Sequence, residues 1–359
     1  MKSLLRLLLK SQHQPNRSGP AQTDKGMTLV ELLVGAIMAF LIITPMLGFV
    51  VDMLNTDRRE QVKSNTEQDI QAAVDFIGKD LSQAIYIYDQ VGITALNPTT
   101  QLPPPPKNTT GTPILVFWKR QQIKNAVPVN AKITTPSVCK PDAKPTEKGE
   151  CNDTYVLSLV AYYQIKDSTP NSTWCQPSGG LCPTRIARYE IRDGVRKPDP
   201  VATDKNLPYY NVNDTNPDTQ QPDPAFNKEF DLSKPTVKVT LAGGLTKPES
   251  GAQNPQVLVN YIDPTKVAIS STKECQTALG NPTDPKDTTK FLDETTLKVS
   301  DGDTNSFYAC VDTARNIARV TIRGNSLRRL QANAPYNPNN PAYFPTASVQ
   351  VQGLGGLGK

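Results

Sequence analysis

The stretch Gly26-Met27-Thr28-Leu29-Val30-Glu31 and the run from Leu32 to Val51 determine the organisation of this chain. The run contains twenty residues without a formal charge. A helix of that length, at about 1.5 Å per residue, spans about 30 Å, the thickness of one bilayer core. One carboxylate, Glu31, lies at its start. Because a charge beside a membrane segment is costly, we expect Glu31 to have a functional role.

Most of the positive charge lies before this segment. The chain has 359 residues and a formal net charge of +5, and residues 1–26 contain five basic side chains against Asp24 alone, which leaves +1 for residues 27–359. A domain with so little net charge is atypical of nucleic-acid-binding proteins, so we expect no nucleic acid partner. The basic leader favours a cytoplasmic N-terminus and export of everything after Val51.

The leader differs from an ordinary secretory signal. Such a signal has its small-residue cleavage site after the apolar run, whereas here the small residue, Gly26, precedes the run. Cleavage after Gly26 would leave the hydrophobic helix attached to the chain. An ordinary uncleaved membrane anchor is the alternative that these residues leave open.

The helix is predicted to continue beyond the apolar run. Apolar residues recur at three- and four-residue steps from Ile70 to Ile85, which predicts an amphipathic helix that ends near Tyr88. Pro45 predicts a kink or local melting inside the helix.

Seven later segments are predicted to be strands, because they are rich in β-branched and aromatic residues and are bounded by Gly, Pro, Asn and Asp. No helix of comparable quality separates them, which favours an antiparallel sheet over βαβ units. The predicted fold class is α+β: a long N-terminal helix packed on an antiparallel sheet with long Pro-rich loops, including Pro264 to Asp303. The predicted strands are Ile114–Arg120, Tyr155–Lys166, Thr184–Arg192, Thr236–Leu241, Gln256–Ile262, Phe307–Asp312 and Asn316–Arg323.

All six cysteines follow the apolar run, as expected of disulfides in an oxidising compartment. A zinc site is disfavoured, because the chain has no CxxC motif and its one histidine, His13, lies in the leader. Six cysteines allow fifteen pairings. The simplest pairing is local: Cys139 with Cys151, Cys175 with Cys182, and Cys275 with Cys310.

Without the leader the chain has no histidine, which excludes Ser-His-Asp and Cys-His catalysis. No Gly-rich phosphate loop follows a predicted strand. We therefore expect neither an enzyme nor a bound cofactor.

A calcium loop is the one metal site to consider. Asp301, Asp303, Asn305 and Asp312 occupy positions one, three, five and twelve of an EF-hand-like loop. However, Ser306 stands where the tight turn requires glycine, and Asp312 is shorter than the usual glutamate. A turn between strands is the better interpretation, and no metal is expected.

The stretch Arg315 to Arg323, taken as a strand, places Arg315, Arg319 and Arg323 on one side and apolar residues on the other. A solvated sheet face is the simplest interpretation. The functional alternative is a contact for an acidic partner or an anionic polysaccharide.

With its basic leader, the sequence Gly26-Met27-Thr28-Leu29-Val30-Glu31-Leu32-Leu33-Val34 resembles the class III signal peptide of type IV pilins and type II secretion pseudopilins. The resemblance implies that a membrane-embedded prepilin peptidase cuts between Gly26 and Met27, and that Met27 is then N-methylated. It also implies that Glu31 pairs with the N-terminal amine of a neighbouring subunit. In an apolar environment an unpaired carboxylate is energetically costly. A carboxylate that has to find its partner there can therefore fix the register between neighbouring subunits.

The size of the chain and its element order point to one branch of this family. Cleavage would leave 333 residues, more than most major pilins have. The helix, the sheet and the late strand Ala318–Ile322 resemble the large J- or W-type minor pseudopilins at or near the filament tip. The leader, the segment Val51–Glu60 and the cysteine-bearing loops are most similar to C-type hormogonium polysaccharide secretion pseudopilins of filamentous photosynthetic bacteria.

This resemblance implies a structural subunit that primes or caps a type IV pilus- or type II secretion-like pseudopilus, for polysaccharide secretion and gliding motility. The implied partners are other pseudopilins, the prepilin peptidase, the inner-membrane assembly platform and, before assembly, membrane lipid. The implied location is the inner membrane, crossed once, with the C-terminal domain periplasmic, and then the pseudopilus.

The alternative hypothesis is a membrane-anchored envelope protein that binds glycan and does not polymerise. In either case we expect a flexible tail at the end of the chain. The expected parts are a cleaved leader (1–26), a transmembrane or filament-core helix (27–51), an amphipathic helix (52–90), an exported β-rich domain (91–331) and the tail (332–359).

Overall fold

A computed structural model describes residues 28–96, 102–129, 151–169, 171–196, 209, 222–223, 226, 255–266, 273–302 and 305–354. The chain divides into two compact units, Met1–Asp57 and Arg58–Lys359. The described part contains one long N-terminal helix and antiparallel sheets, so the fold class is α+β. The predicted strand Thr236–Leu241 lies outside the described residues.

Helix α1, Leu29–Leu81, has 53 residues. Thr28 caps its N-terminus, because the Thr28 Oγ1 atom accepts a hydrogen bond from the Glu31 amide at 3.3 Å. The helix continues through Pro45 without a break, so no local melting occurs there. Proline removes one backbone donor, and the loss of one bond is small beside the many that remain in so long a helix.

The second half of α1 packs on the sheet domain through the predicted stripe, which includes Ile70, Val74 and Ile77. The prediction that the helix reaches Tyr88 is wrong. The helix ends at Leu81, and β1, Ala84–Ile87, pairs antiparallel with the next strand. The spacing of the apolar residues here fits a strand as well as a helix, and pairing with a distant strand decides between them.

Five strands form a sheet in which each strand is antiparallel to the one before it in the chain. A short helix, α2, Gln90–Ala95, follows β1 and is capped by the Asp89 side chain, which accepts a hydrogen bond from the Gly92 amide at 2.7 Å. The other four strands are β2, Thr109–Pro128, β3, Cys151–Asp167, β4, Thr184–Arg192, and β5, Gln256–Ile262.

The stretch from Pro264 to Asp303, predicted to be a surface loop, contains regular elements between residues 273 and 302. Their apolar side chains pack around a small second core that includes Cys275, Leu279 and Leu297. These elements are α3, Glu274–Ala278, β6, Thr283–Asp284, β7, Asp287–Phe291, α4, Glu294–Leu297, and β8, Lys298–Ser300.

A second sheet has the order β11-β10-β9-β8, formed with β9, Phe307–Asp312, β10, Ile317–Arg323, and β11, Thr346–Gln352. The expectation of a flexible tail over 332–359 is therefore wrong for the described residues up to 354. Strand β11 pairs with the whole of β10. Its residues Ala347, Val349 and Val351 pack against the main core, and this burial orders the segment.

Candidate membrane and assembly helix

The first half of α1 exposes apolar side chains around its whole circumference. Every residue from 28 to 61 is exposed. The large apolar side chains between Leu29 and Leu54 are exposed by 47% (Val50) to 84% (Leu29). They are Leu29, Val30, Leu32, Leu33, Val34, Ile37, Met38, Phe40, Leu41, Ile42, Ile43, Met46, Leu47, Phe49, Val50, Val51, Met53 and Leu54.

A helix that is apolar on all sides requires apolar surroundings on all sides, either lipid or other helices. Within the described part of the chain, α1 is the one helix long and apolar enough to cross a membrane. It fits a single membrane span. Its amphipathic second half differs, because only one stripe there is buried against the domain.

Glu31 lies in the first turn of α1 and is exposed. A carboxylate at this end of a helix interacts favourably with the helix dipole. No charged residue lies between Glu31 and Asp52, so Glu31 is the one charge in the first turn of the apolar helix. The residues of the predicted cleavage site, Gly26 and Met27, lie outside the described residues, immediately before Thr28.

The three arginines of the predicted anionic contact do not form one open face. Arg315 precedes β10 rather than lying in it; its Nε atom pairs with Asp312, and its Nη2 atom donates to the Leu279 carbonyl at 2.6 Å. The Arg323 Nη2 atom lies 3.1 Å from the Asp263 Oδ2 atom, and Asp263 is fully buried.

Arg319 differs from the other two arginines. Its Nη2 atom donates a hydrogen bond to the Ser348 Oγ atom at 3.4 Å, and it makes no ion pair with a described residue. Arg323 is thus paired inside the domain, whereas Arg315 is engaged by Asp312 but remains exposed at the surface. Pairing of Arg323 with Asp263 joins residues 60 positions apart, which strand periodicity alone does not reveal.

The two ends of the predicted calcium loop, Asp301 and Asp312, are separated by a strand and do not converge on one ion site. Asp301 precedes β9 and Asp312 ends it, and six residues of strand span about 20 Å. The side chain of Asp312 is buried and engaged with Arg315. Asp303 lies outside the described residues. Among the residues that are described, no group of three or more His, Cys, Asp or Glu side chains could hold a metal ion.

The structure contains two of the predicted disulfides, Cys175–Cys182 and Cys275–Cys310. Cys151 is also disulfide-bonded, and its predicted partner, Cys139, lies outside the described residues. The bridge Cys275–Cys310 ties α3 to β9. Disulfides in this part of the chain are those expected of an oxidising compartment.

A buried charge cluster at the end of α1 was not predicted from the sequence. The Asp80 carboxylate accepts hydrogen bonds from Arg188 Nε at 2.7 Å, Lys119 Nζ at 3.0 Å and Tyr162 Oη at 2.7 Å. Glu190 completes the cluster, with its Oε1 atom 3.1 Å from Lys119 and its Oε2 atom 2.8 Å from Arg188. These contacts fix the end of α1 to three strands of the five-stranded sheet.

The cluster also shifts the acidities of its members. Burial raises the pKa of Asp80, but the hydrogen bond and charge of Arg188, together with Lys119, outweigh burial and leave this pKa below its usual value. The same balance lowers the pKa of Glu190. Asp80 therefore stays ionised although it is only 6% exposed. The available signal was an acidic residue between Ile77 and Leu81, beside the buried stripe.

In comparisons with known proteins, no protein-family model, no curated protein sequence and no solved structure matches this chain. Its function therefore has to follow from the chemistry of its own residues.

Proposed function

We propose that this chain is a minor pseudopilin, a structural subunit that primes or caps a type IV pilus- or type II secretion-like pseudopilus. The observation that supports the proposal best is the first half of α1, which is apolar and exposed on every side and has Glu31 at its start. This segment directly follows Gly26-Met27 in the sequence. No catalytic step is assigned to the chain.

The apolar first half of α1 would occupy two successive environments. Before assembly, about 30 Å of uncharged helix matches one bilayer core. After assembly, the same surface packs against the helices of neighbouring subunits in the filament axis. Glu31 has a role in the second environment, where its carboxylate pairs with the N-terminal amine of a neighbour and sets the register.

The exported part suits a subunit of this kind. Its long N-terminal helix packs its second half on an antiparallel sheet. We propose that this arrangement is a pilin fold. The length of the domain and its order of helix, sheet and late strand favour a large J- or W-type subunit near the filament tip. The resemblance to C-type hormogonium polysaccharide secretion pseudopilins suggests polysaccharide secretion during gliding motility as the process served.

The proposal places the chain in the inner membrane, with a cytoplasmic N-terminus and a periplasmic domain, and then in the pseudopilus. Its partners would be other pseudopilins, the assembly platform and the prepilin peptidase, with lipid around α1 before assembly. The alternative, an anchored glycan-binding protein that does not polymerise, loses support because Arg323 is paired with buried Asp263 and Arg315 is already engaged by Asp312.

Mass spectrometry of the mature N-terminus tests the proposal. The full chain is produced in a host that has a prepilin peptidase and is purified from the membrane. We expect it to begin at N-methylated Met27. A matched Gly26→Val variant should insert into the membrane with residues 1–26 still attached. If the unmodified chain, inserted beside an active peptidase, keeps residues 1–26, the pseudopilin proposal is wrong.

A further inference from the structure

Within the part of the chain that the structure describes, the backbone groups along the outer edge of β11 have no hydrogen-bond partner. Strand β11 is the outermost strand of its sheet and pairs with β10 on one side. The ladder to β10 includes the bond from the Gly324 amide to the Pro345 carbonyl, at 2.9 Å, and the bond from the Gly353 amide to the Asn316 carbonyl, at 2.9 Å. In an antiparallel pair alternate residues bond to the partner strand, so in β11 the odd-numbered residues bond to β10.

The even-numbered residues therefore direct their N–H and C=O groups away from β10. None of these backbone groups has a hydrogen bond to a described residue. Proteins usually protect such an edge with a charged residue, a proline or a bulge. Strand β11, with the sequence Thr-Ala-Ser-Val-Gln-Val-Gln, has no charge and no proline, and its register with β10 is unbroken. The even-numbered residues are Thr346, Ser348, Gln350 and Gln352.

The two faces of β11 specify what can lie beside it. On the inner face, Ala347, Val349 and Val351 pack against the main core and are only partly buried. An added strand would therefore need apolar residues on this face to cover them. On the outer face the even-numbered residues are all polar and exposed, so polar residues belong there.

Charge selects the partner further. Arg319 on β10 lies opposite Gln350, and its guanidinium reaches toward β11 to bond with Ser348 Oγ. A strand added beyond β11 would lie about 10 Å from β10, two strand spacings away. Extended Arg and Glu side chains bridge that distance, and Arg319 makes no ion pair with a described residue. The charge of Arg319 acts on Glu274 without a direct ion pair, and an acidic residue on the outer face of the added strand would give Arg319 a direct one.

We propose that the outer edge of β11 is a strand-addition site that takes an extended, acidic segment of a neighbouring polypeptide. The segment alternates apolar residues, over Val349 and its neighbours, with polar residues that include Asp or Glu beside Arg319. A polysaccharide lacks the alternating N–H and C=O groups that the edge requires. Of the two anionic partners considered for the arginine strand, a polypeptide therefore fits, and only Arg319 takes part.

This site goes beyond the proposed function and does not depend on it, because strand addition requires only that the domain meets such a segment. Amide hydrogen exchange on the purified full chain in detergent tests the site. The probe is the capped synthetic heptapeptide Thr-Val-Glu-Val-Glu-Val-Thr. One control peptide has Lys in place of Glu, and a second is N-methylated at alternate residues so that it cannot pair.

Without peptide, the amides of Thr346, Ser348, Gln350 and Gln352 should exchange fast, while those of Ala347, Val349 and Val351 are protected by β10. The acidic peptide should slow the first set by about tenfold or more. The Lys peptide should act more weakly, and the N-methylated peptide should have no effect. If the acidic peptide leaves these amides unchanged, or if they are already protected without it, the edge is not an open strand-addition site.

Two variants separate binding from folding. Gln350→Pro removes one outward N–H and leaves the bonds to β10 intact, so it should unfold at the original temperature and lose the peptide effect. Arg319→Gln should abolish the preference for the acidic peptide over the Lys peptide. Equal binding to Gln350→Pro would overturn the proposal. The mass of the N-terminus is measured on the same samples. An uncleaved leader would contradict the pseudopilin proposal and would leave the strand-addition site untouched.

Discussion

Asp80, near the C-terminal end of α1, and Arg188, on β4, are 108 positions apart in the chain and are joined by two hydrogen bonds. The Arg188 Nε atom donates to Asp80 Oδ2 at 2.7 Å, and the Nη2 atom donates to Oδ1 at 3.4 Å. A carboxylate at the C-terminal end of a helix is unfavourable for the helix dipole. Arg188 and Lys119 compensate that cost, and in doing so they attach the helix to the sheet.

Replacing Asp80 by Asn should destabilise the domain strongly. The change removes the carboxylate that faces both Arg188 and Lys119, and Glu190 alone remains to balance two buried cations. Breaking a buried pair in this way costs about 3 kcal/mol in the free energy of unfolding. Thermal unfolding of the full chain in detergent measures the loss. The matched control is Asp75→Asn on the exposed side of α1, with an expected effect within about 0.5 kcal/mol.

The same cluster predicts a loss of stability in acid. The folded-state pKa values of Asp80 and Glu190 lie below their unfolded values. Their contribution is therefore complete above the unfolded pKa values, about 4, and disappears as pH falls through the folded values. The unfolding temperature should therefore drop as pH falls below about 4. In Asp80→Asn the drop should be shallower; an identical pH profile would contradict the assignment.

The two described disulfides should contribute unequally. Cys275–Cys310 closes a loop with a sequence separation of 35, and Cys175–Cys182 one of 7. Chain-entropy estimates give about 4 kcal/mol for the longer loop and about 2.5 kcal/mol for the shorter. The double variant Cys275→Ala with Cys310→Ala should therefore unfold at a lower temperature than Cys175→Ala with Cys182→Ala. The opposite order would show that the long loop is already constrained in the unfolded chain.

Glu31→Ala should separate membrane insertion from assembly. The apolar surface of α1 is unchanged, so we expect the variant to enter the membrane and to be cleaved and methylated at Met27. Assembly should fail, because the N-terminal amine of a neighbour would lose its partner. Filament yield and mature mass, measured together, test this expectation, with Glu67→Ala on the exposed side of α1 as the control. Normal assembly of Glu31→Ala would remove the proposed register role.

Some strands could be predicted accurately because the residues within and beside them mark their ends. β4, β5 and β9 begin and end at the predicted residues, because β-branched and aromatic residues there stop at clear turn residues. The buried stripe of α1 was likewise readable from its period. The exposed apolar half of α1 follows from composition alone, which is why the candidate membrane helix was found.

The elements and contacts that the sequence did not predict depend on residues far away in the chain. β11 consists of small and polar residues before a Gly-rich end, and only pairing with β10 and burial of Val349 make it a strand. β1 follows the helical period until it meets β2. The arginine face was predicted from strand alternation, but Arg323 is committed to Asp263 on a different part of the chain. Periodicity cannot report such pairings.

The close approach of α1 to β11 sets the order in which the domain can be completed. A Cβ atom on Gly78 would lie 3.1 Å from a methyl carbon of Val349, and the Gly353 amide donates to the Asn316 carbonyl while the Asn316 side chain donates to the Ala84 carbonyl. The earliest and latest parts of the domain thus cover each other. During synthesis, the second half of α1 stays without this cover until β11 has emerged, so the chain has to remain unaggregated for that whole interval.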